Sequence, residues 1–105
     1  MLTIEEASLS SQQIRPGENL EIKITYAVLH PTPETKTTIT EIREITYNGE
    51  LAGRPEVRVE RADGTHTSTI PIRLPAAAKK GLYRVRTTVE AENLRDTREL
   101  SFTVS

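Results

Sequence analysis

The chain has 105 residues, 14 basic and 15 acidic side chains, and a net charge of −1. That length suits one domain, and the balanced charge offers no long-range attraction to nucleic acid or anionic lipid. Cysteine is absent, which leaves the redox compartment open, and no apolar run approaches the roughly 18 residues that a membrane-spanning helix requires.

Thr3 to Leu9 reads as a short first strand, with Ile4 and Leu9 as core contacts. Arg15-Pro16-Gly17-Glu18 is a turn, because Pro presets φ and Gly supplies the positive φ of a type II corner. Leu20, Ile22, Ile24, Tyr26 and Val28 then alternate with Glu21, Lys23, Thr25 and Ala27, the period of a half-buried strand. His30-Pro31-Thr32-Pro33 ends it, since proline cannot donate to a ladder.

Thr37 to Tyr47 is extended, but its apolar phase is broken. Ile39, Ile45 and Tyr47 share one parity with Glu41 and Arg43, while Ile42 lies on the other. A β-bulge near residues 41–44 reconciles the pattern and is the preferred reading; an edge strand with inward charges is the alternative. Asn48-Gly49 marks a tight hairpin. Leu51 to Pro55 is a short return strand or a loop, and Val57 and Val59 sit on the next strand. Asp63-Gly64 reads as a second tight turn, making Thr65 to Leu74 the partner of that strand, with Ile70, Ile72 and Leu74 inward. Pro71 on the outward parity signals an edge strand or a gap in pairing.

Pro75 to Gly81 crosses between sheets, with one helical turn expected over residues 76–80 and Gly81 as its cap. Tyr83, Val85, Thr87 and Val89 then face inward, Glu92-Asn93-Leu94 turns the chain, and Leu100, Phe102 and Val104 complete the core. The predicted fold is all-β: an antiparallel two-sheet immunoglobulin-like sandwich of seven to eight strands, occupying residues 1–105 as one domain.

Three segments resemble immunoglobulin-like modules of bacterial surface and periplasmic proteins, including CARDB-like and fibronectin-III-like domains. They are Arg15-Pro16-Gly17-Glu18-Asn19-Leu20-Glu21-Ile22, then Ile72-Arg73-Leu74-Pro75 with Gly81-Leu82-Tyr83, and the closing Leu100-Ser101-Phe102-Thr103-Val104. His30-Pro31 stands where CARDB-type modules carry Asn-x-Gly. The resemblance implies a structural module excised from a larger envelope protein, outside the cytoplasm, with a cytosolic setting as the alternative. The absence of a basic and apolar leader at Met1 to Glu6 fits a signal peptide and neighbouring domains lying beyond this chain.

Candidate chemistry is sparse. No Gly-x-Ser-x-Gly elbow or Gly-rich phosphate loop occurs. His30 and His66 read as separate surface residues, and Asp63 and Asp96 are too distant in sequence to suggest a calcium cluster. No enzyme activity, cofactor or metal is expected. Tyr83 matches a tyrosine corner, with Pro75 and Gly81 shaping the crossover before it. Arg84 and Arg86, joined by Arg95 and Arg98, form an outward Arg-bearing face, expected to pair with Glu90, Glu92 and Glu99. Partner contacts are expected at Asn48, Gly49, Leu51 and Arg54 in the loop over residues 48–55, at Arg84 and Arg86, in the loop over residues 29–36, or along strand 37–46 as an exposed edge. The expected partners are neighbouring domains or another envelope protein, with the isolated domain a monomer that neither inserts in a membrane nor binds nucleic acid. Non-catalytic spacing or docking is the leading reading. A ligand- or protein-binding module of adhesin-like or proteinase-inhibitor-like type, and an accessory domain fused to an enzyme, are the alternatives.

Overall fold

The computed structural model describes residues 1–30 and 36–105, so the predicted stop at Pro31 to Pro33 lies outside the described residues. The strands are β1 Leu2–Leu9, β2 Gln13–Ile14, β3 Asn19–Val28, β4 Thr37–Tyr47, β5 Glu50–Gly53, β6 Glu56–Arg61, β7 Gly64–Arg73, β8 Gly81–Ala91 and β9 Leu94–Val104. They form two sheets. The small one has the order β1-β3-β7, and the large one runs β2-β9-β8-β4-β5 with β6 also on β4. All pairings are antiparallel except that of β2 with β9.

β5 and β6 are two pieces of one return strand. Their registers on β4, Ile45 with Gly53 and Ile42 with Glu56, are continuous. Between them the Arg43 amide donates to the Pro55 carbonyl at 3.0 Å. The interruption falls at Arg54-Pro55, where Pro has no amide hydrogen to give. Asn48 and Gly49 make the hairpin with φ of 50° and 80°, the doubly positive backbone of a type I′ turn. Gly17 has φ of 86° in the Arg15–Glu18 corner, which the Glu18 amide closes on the Arg15 carbonyl at 3.1 Å.

Asp63-Gly64 does not close a hairpin. β6 pairs with β4 in the large sheet and β7 with β3 in the small one, so this turn carries the chain from one sheet to the other. The helical turn expected over residues 76–80 is also absent. The crossover instead makes a β-turn in which the Ala78 amide donates to the Pro75 carbonyl at 3.0 Å.

The core lies between the sheets in two apolar clusters. One gathers Leu20, Ile22, Ile45, Tyr83, Val85 and Phe102, and the other gathers Ile4, Ile24, Tyr26, Val28, Ile39 and Val89. Each fully buried side chain of this size contributes about 1.5–3 kcal/mol relative to exposure. Between the clusters the interior is polar. β4 keeps a regular register with both β8 and β6 through residues 40–42 and on to Tyr47 with β8, so no bulge exists at residues 41–44. The irregularity sits in the hairpin instead, between Ile45 and Thr46. β4 is not an edge either, since it lies between β8 and the β5–β6 strand.

Glu41 and Arg43 therefore point into the core, both at 0% exposure. Glu41 accepts from the Tyr26 hydroxyl and the Ser68 hydroxyl, each at 2.5 Å. Arg43 donates through Nη2 to the Ser68 carbonyl at 2.9 Å and lies 3.8 Å from Glu41. From the rim, Arg61 donates to the Tyr26 hydroxyl at 3.1 Å and lies 3.6 Å from Glu41. Burial pulls the Arg43 guanidinium below its ordinary value, and Glu41 pulls it back up. Burial, reinforced by the Glu41 hydrogen bond, pushes the Tyr26 phenol up to about 12. Ile42 faces the opposite way. It stays buried because Thr88, Thr97 and the stems of Arg54, Arg86 and Arg95 surround it on the outer face.

Removing one member of a buried ion pair strands the other, at a cost of about 3–5 kcal/mol. Glu41→Ala is expected to lose that much in urea unfolding, while Glu41→Leu combined with Arg43→Met recovers most of it. A loss below about 1 kcal/mol for Glu41→Ala would show that Arg43 is not stranded when its partner is removed. The raised Tyr26 value sets a second expectation. Its contribution is complete below the ordinary tyrosine value near 10 and declines as pH rises towards 12. The urea midpoint should fall across that alkaline window, and Tyr26→Phe should flatten the fall.

Candidate functional site

The crossover from β7 to β8 is pinned by two tyrosines. The Tyr83 hydroxyl donates to the Lys79 carbonyl at 2.7 Å, and the Tyr47 hydroxyl donates to the Lys80 carbonyl at 2.8 Å. Their rings lie 4.7 Å apart, and Tyr83 stacks on Phe102 at 5.1 Å. Burial, then the neighbouring Tyr47, raises the Tyr83 phenol. Pro75 opens the β-turn of this crossover. Gly81 ends it with φ of 135°, and a Cβ there would meet Tyr47 Cε1 at 3.1 Å. The sequence alone points to Tyr83 as the tyrosine of this corner and not to Tyr47. The signal for Tyr47 was its shared parity with Ile39 and Ile45, which sets it across from Tyr83 in the β4–β8 register.

The outer face of the large sheet brings the predicted contact residues together. Thr46 pairs with Leu51 on one side and Arg84 on the other, and Asn48 and Gly49 sit at the hairpin tip beside Leu82 and Arg84. One residue pair further along are Glu44, Arg86 and Glu99, with Arg54 alongside. Most charges here are paired. Arg86 meets Glu99 at 3.1 Å, Arg95 meets Glu90 at 2.6 Å, and Arg54 lies between Glu44 at 3.8 Å and Glu56 at 3.6 Å. Exposed pairs of this kind contribute about 0–1 kcal/mol each. Arg84 has no ion-pair partner among the described residues; exposed Leu82 lies two residues before it on the same face, and exposed Leu51 lies beyond Thr46 on β5.

Arg98 does not join this face. It pairs in register with inward Thr87, and its Nη2 donates to the Ile4 carbonyl at 2.9 Å. Asp96, on the same parity, accepts from the Ile4 amide at 2.7 Å. Together they close the seam where β1, with its irregularity between Ile4 and Glu6, passes β9.

The histidines are not free surface residues. His30 is largely enclosed. Its Nδ1 meets the Asp63 carboxylate and its Nε2 meets the Thr37 hydroxyl, while its backbone amide donates to Asp63 at 2.7 Å. It thus ties the end of β3 to the start of β4 and to the β6–β7 crossing. The His30 hydrogen bonds hold the Asp63 carboxyl below the usual carboxylate range. His66 packs on Tyr26 at 6.0 Å and reaches the Ala62 carbonyl at 2.8 Å. An apolar hollow of about 290 Å³ opens beside His30, lined by Met1, Leu2, Leu29, Ile39, Ala91 and Leu94 among others. No group of three metal-ligating side chains converges among the described residues.

No family model and no curated protein sequence matches this chain. Solved structures do match in shape. A glycosyl hydrolase family 2 member from Bacteroides cellulosilyticus superposes with a TM-score of 0.71 at 13% identity, over 98% of this chain and 15% of that one. The alkylpurine DNA glycosylase AlkC from Pseudomonas fluorescens gives 0.66 at 13% identity, over 98% and 30%. The sporulation control protein Spo0M from Bacillus subtilis gives 0.63 at 13% identity, over 99% and 49%. This chain therefore spans less than half the length of each, and at such identities the likeness concerns the fold alone.

Tyr83→Phe should cost about 1 kcal/mol through the lost Lys79 bond. Gly81→Ala should cost more, because the positive φ and the Tyr47 contact both oppose a Cβ. Urea midpoints of the two variants check both, and an unchanged midpoint for either would remove that residue from the corner. Because Asp63 is held below its ordinary value, its contribution is present above roughly pH 4 and is lost as pH falls through its folded value. Asp63→Asn should therefore narrow the stability difference between neutral and acid pH.

Proposed function

We propose that the chain is a non-catalytic accessory module of a larger polypeptide, a spacer or docking unit in the manner of fibronectin-III-like and CARDB-like domains. One observation carries this reading. The same sandwich occurs as a part of chains as different as a glycosyl hydrolase, a DNA glycosylase and a sporulation control protein, over 15%, 30% and 49% of their lengths. A fold reused beside unrelated chemistries is a scaffold, and function must be argued from its surfaces.

The shape supports the same reading. The molecule is 48 Å long and 22 by 18 Å across. Met1 sits at one pole beside Leu29 and Leu94, while Val104 lies at the other beside Gly81. A rod entered at one pole and left at the other spaces its neighbours. The carboxylate and hydroxyls of the interior are engaged within the fold, in the Glu41–Arg43–Tyr26–Ser68 belt and in the Asp96–Arg98 clamp, while Arg43 Nε and Nη1 are buried without a hydrogen-bond partner. The neighbouring domain docks on the outer face around Arg84, Leu51 and Leu82, where a cation without an ion-pair partner among the described residues shares the face with two exposed apolar side chains. An extracytoplasmic setting belongs to this proposal, as the resemblance to envelope modules implies.

Immunodetection of the native protein in cells that encode it tests the module reading. A band well above 11.7 kDa is expected, and a band at that mass would overturn it. In the native polypeptide, Arg84→Ala with Leu82→Ser should lower the melting temperature, whereas in the isolated chain it should not. Equal effects in both would remove the docking face.

A further inference from the structure

We propose that the free edge of β7 is a self-association surface, on which a second copy of this chain adds antiparallel about a two-fold axis at Thr67. The inference is independent of the module reading.

β7 pairs only with β3, and no strand occupies its other edge among the described residues. The direction of its backbone groups follows from neighbouring bonds. The Ser10 amide donates to the Glu21 carbonyl at 3.0 Å, so Glu21 directs its backbone towards β1 and away from β7. Its β7 partner, Pro71, is then a pair without ladder bonds, and alternation puts Thr69, Thr67 and Thr65 in the same state. The Leu74 amide donating to Glu18 at 3.0 Å gives the opposite parity to the even residues, in agreement. Thr65, Thr67 and Thr69 therefore turn their amide hydrogens and carbonyls outward, and Pro71 turns outward a position with no hydrogen to give.

The other long edges are guarded. β6 carries Glu56, Arg58, Glu60 and Arg61, and β1 is clamped by Asp96 and Arg98. Gly64 to Ile70 has none of the usual protections: no charged residue, no proline and no register irregularity. The open ladder is short, bounded by Asp63 at one end and Pro71 at the other.

Those bounds select the occupant. A two-fold axis at Thr67 sets Thr67 against its own copy and Thr65 against Thr69. The outward groups of three residues are thereby matched, and the partner's proline falls beyond them. Every side-chain pair across the axis is uncharged, and Thr–Thr pairs are favourable neighbours on a sheet face. A charged strand finds no counter-charge here. The result is an isologous contact that joins two three-stranded sheets into one of six. An edge contact of this length is smaller than a standard interface, so the dimer is expected to be weak.

Sedimentation velocity across a concentration series tests this. The wild-type chain should shift from monomer to dimer as concentration approaches millimolar, with the Thr65, Thr67 and Thr69 amides gaining protection from hydrogen exchange in step. Thr67→Lys places two like charges on the axis and should stay monomeric, with the dilute protein still folded and losing only the exposed Thr25–Thr67 hydroxyl contact. A wild type that remains monomeric at millimolar concentration would overturn the proposal. So would a dimer that Thr67→Lys leaves intact, or one whose protected amides lie elsewhere.

Discussion

A carboxylate and a guanidinium without access to water hold the centre of this sandwich. Glu41 and Arg43 lie two residues apart on one face of β4, a strand in the middle of the large sheet. Their partners come from the other sheet, Tyr26 on β3 and Ser68 on β7. Such a pair adds little net stability, because desolvation offsets most of the attraction. It is intolerant of misplacement, however. A one-residue slip of β4 would turn both charges outward and carry Ile42 into the core, leaving the Tyr26 and Ser68 hydroxyls without their acceptor. The pair therefore fixes register within the large sheet and the position of that sheet over the small one.

The same economy closes the two open sides of the sandwich. On one side Arg61 reaches from β6 to Tyr26 and Glu41, and Arg43 reaches the Ser68 carbonyl on β7. On the other, Asp96 and Arg98 from β9 take the Ile4 amide and carbonyl on β1. At the β1–β9 side these side chains stand in for backbone partners of Ile4. At the poles the Tyr47–Tyr83 pair and the His30 bridge hold the connections that cross between sheets. What remains unassigned to the fold is on the outside: the Arg84 corner of the large sheet and the outer edge of β7.

Local chemistry in the sequence determined the strands with clean alternation and the turns with forced backbone. Leu20 to Val28, Tyr83 to Val89, the Pro16-Gly17 corner and the Asn48-Gly49 hairpin all follow from short-range rules of pleat and φ, and the two-sheet sandwich follows from their spacing. The residues of the Arg84 corner were legible in part, because parity placed Arg84 and Arg86 outward and the hairpin placed Asn48 and Gly49 at a tip. Tertiary structure alone decided the rest. Glu41 and Arg43 look outward by composition and are inward by pairing, since only the opposite sheet supplies the hydroxyls and carbonyl that make their burial tolerable. The places of Arg98 and His30 are decided in the same way, by partners 94 and 33 residues away. Asp63-Gly64 has the chemistry of a hairpin but joins different sheets, because strand pairing is settled by long-range packing that a dipeptide does not encode.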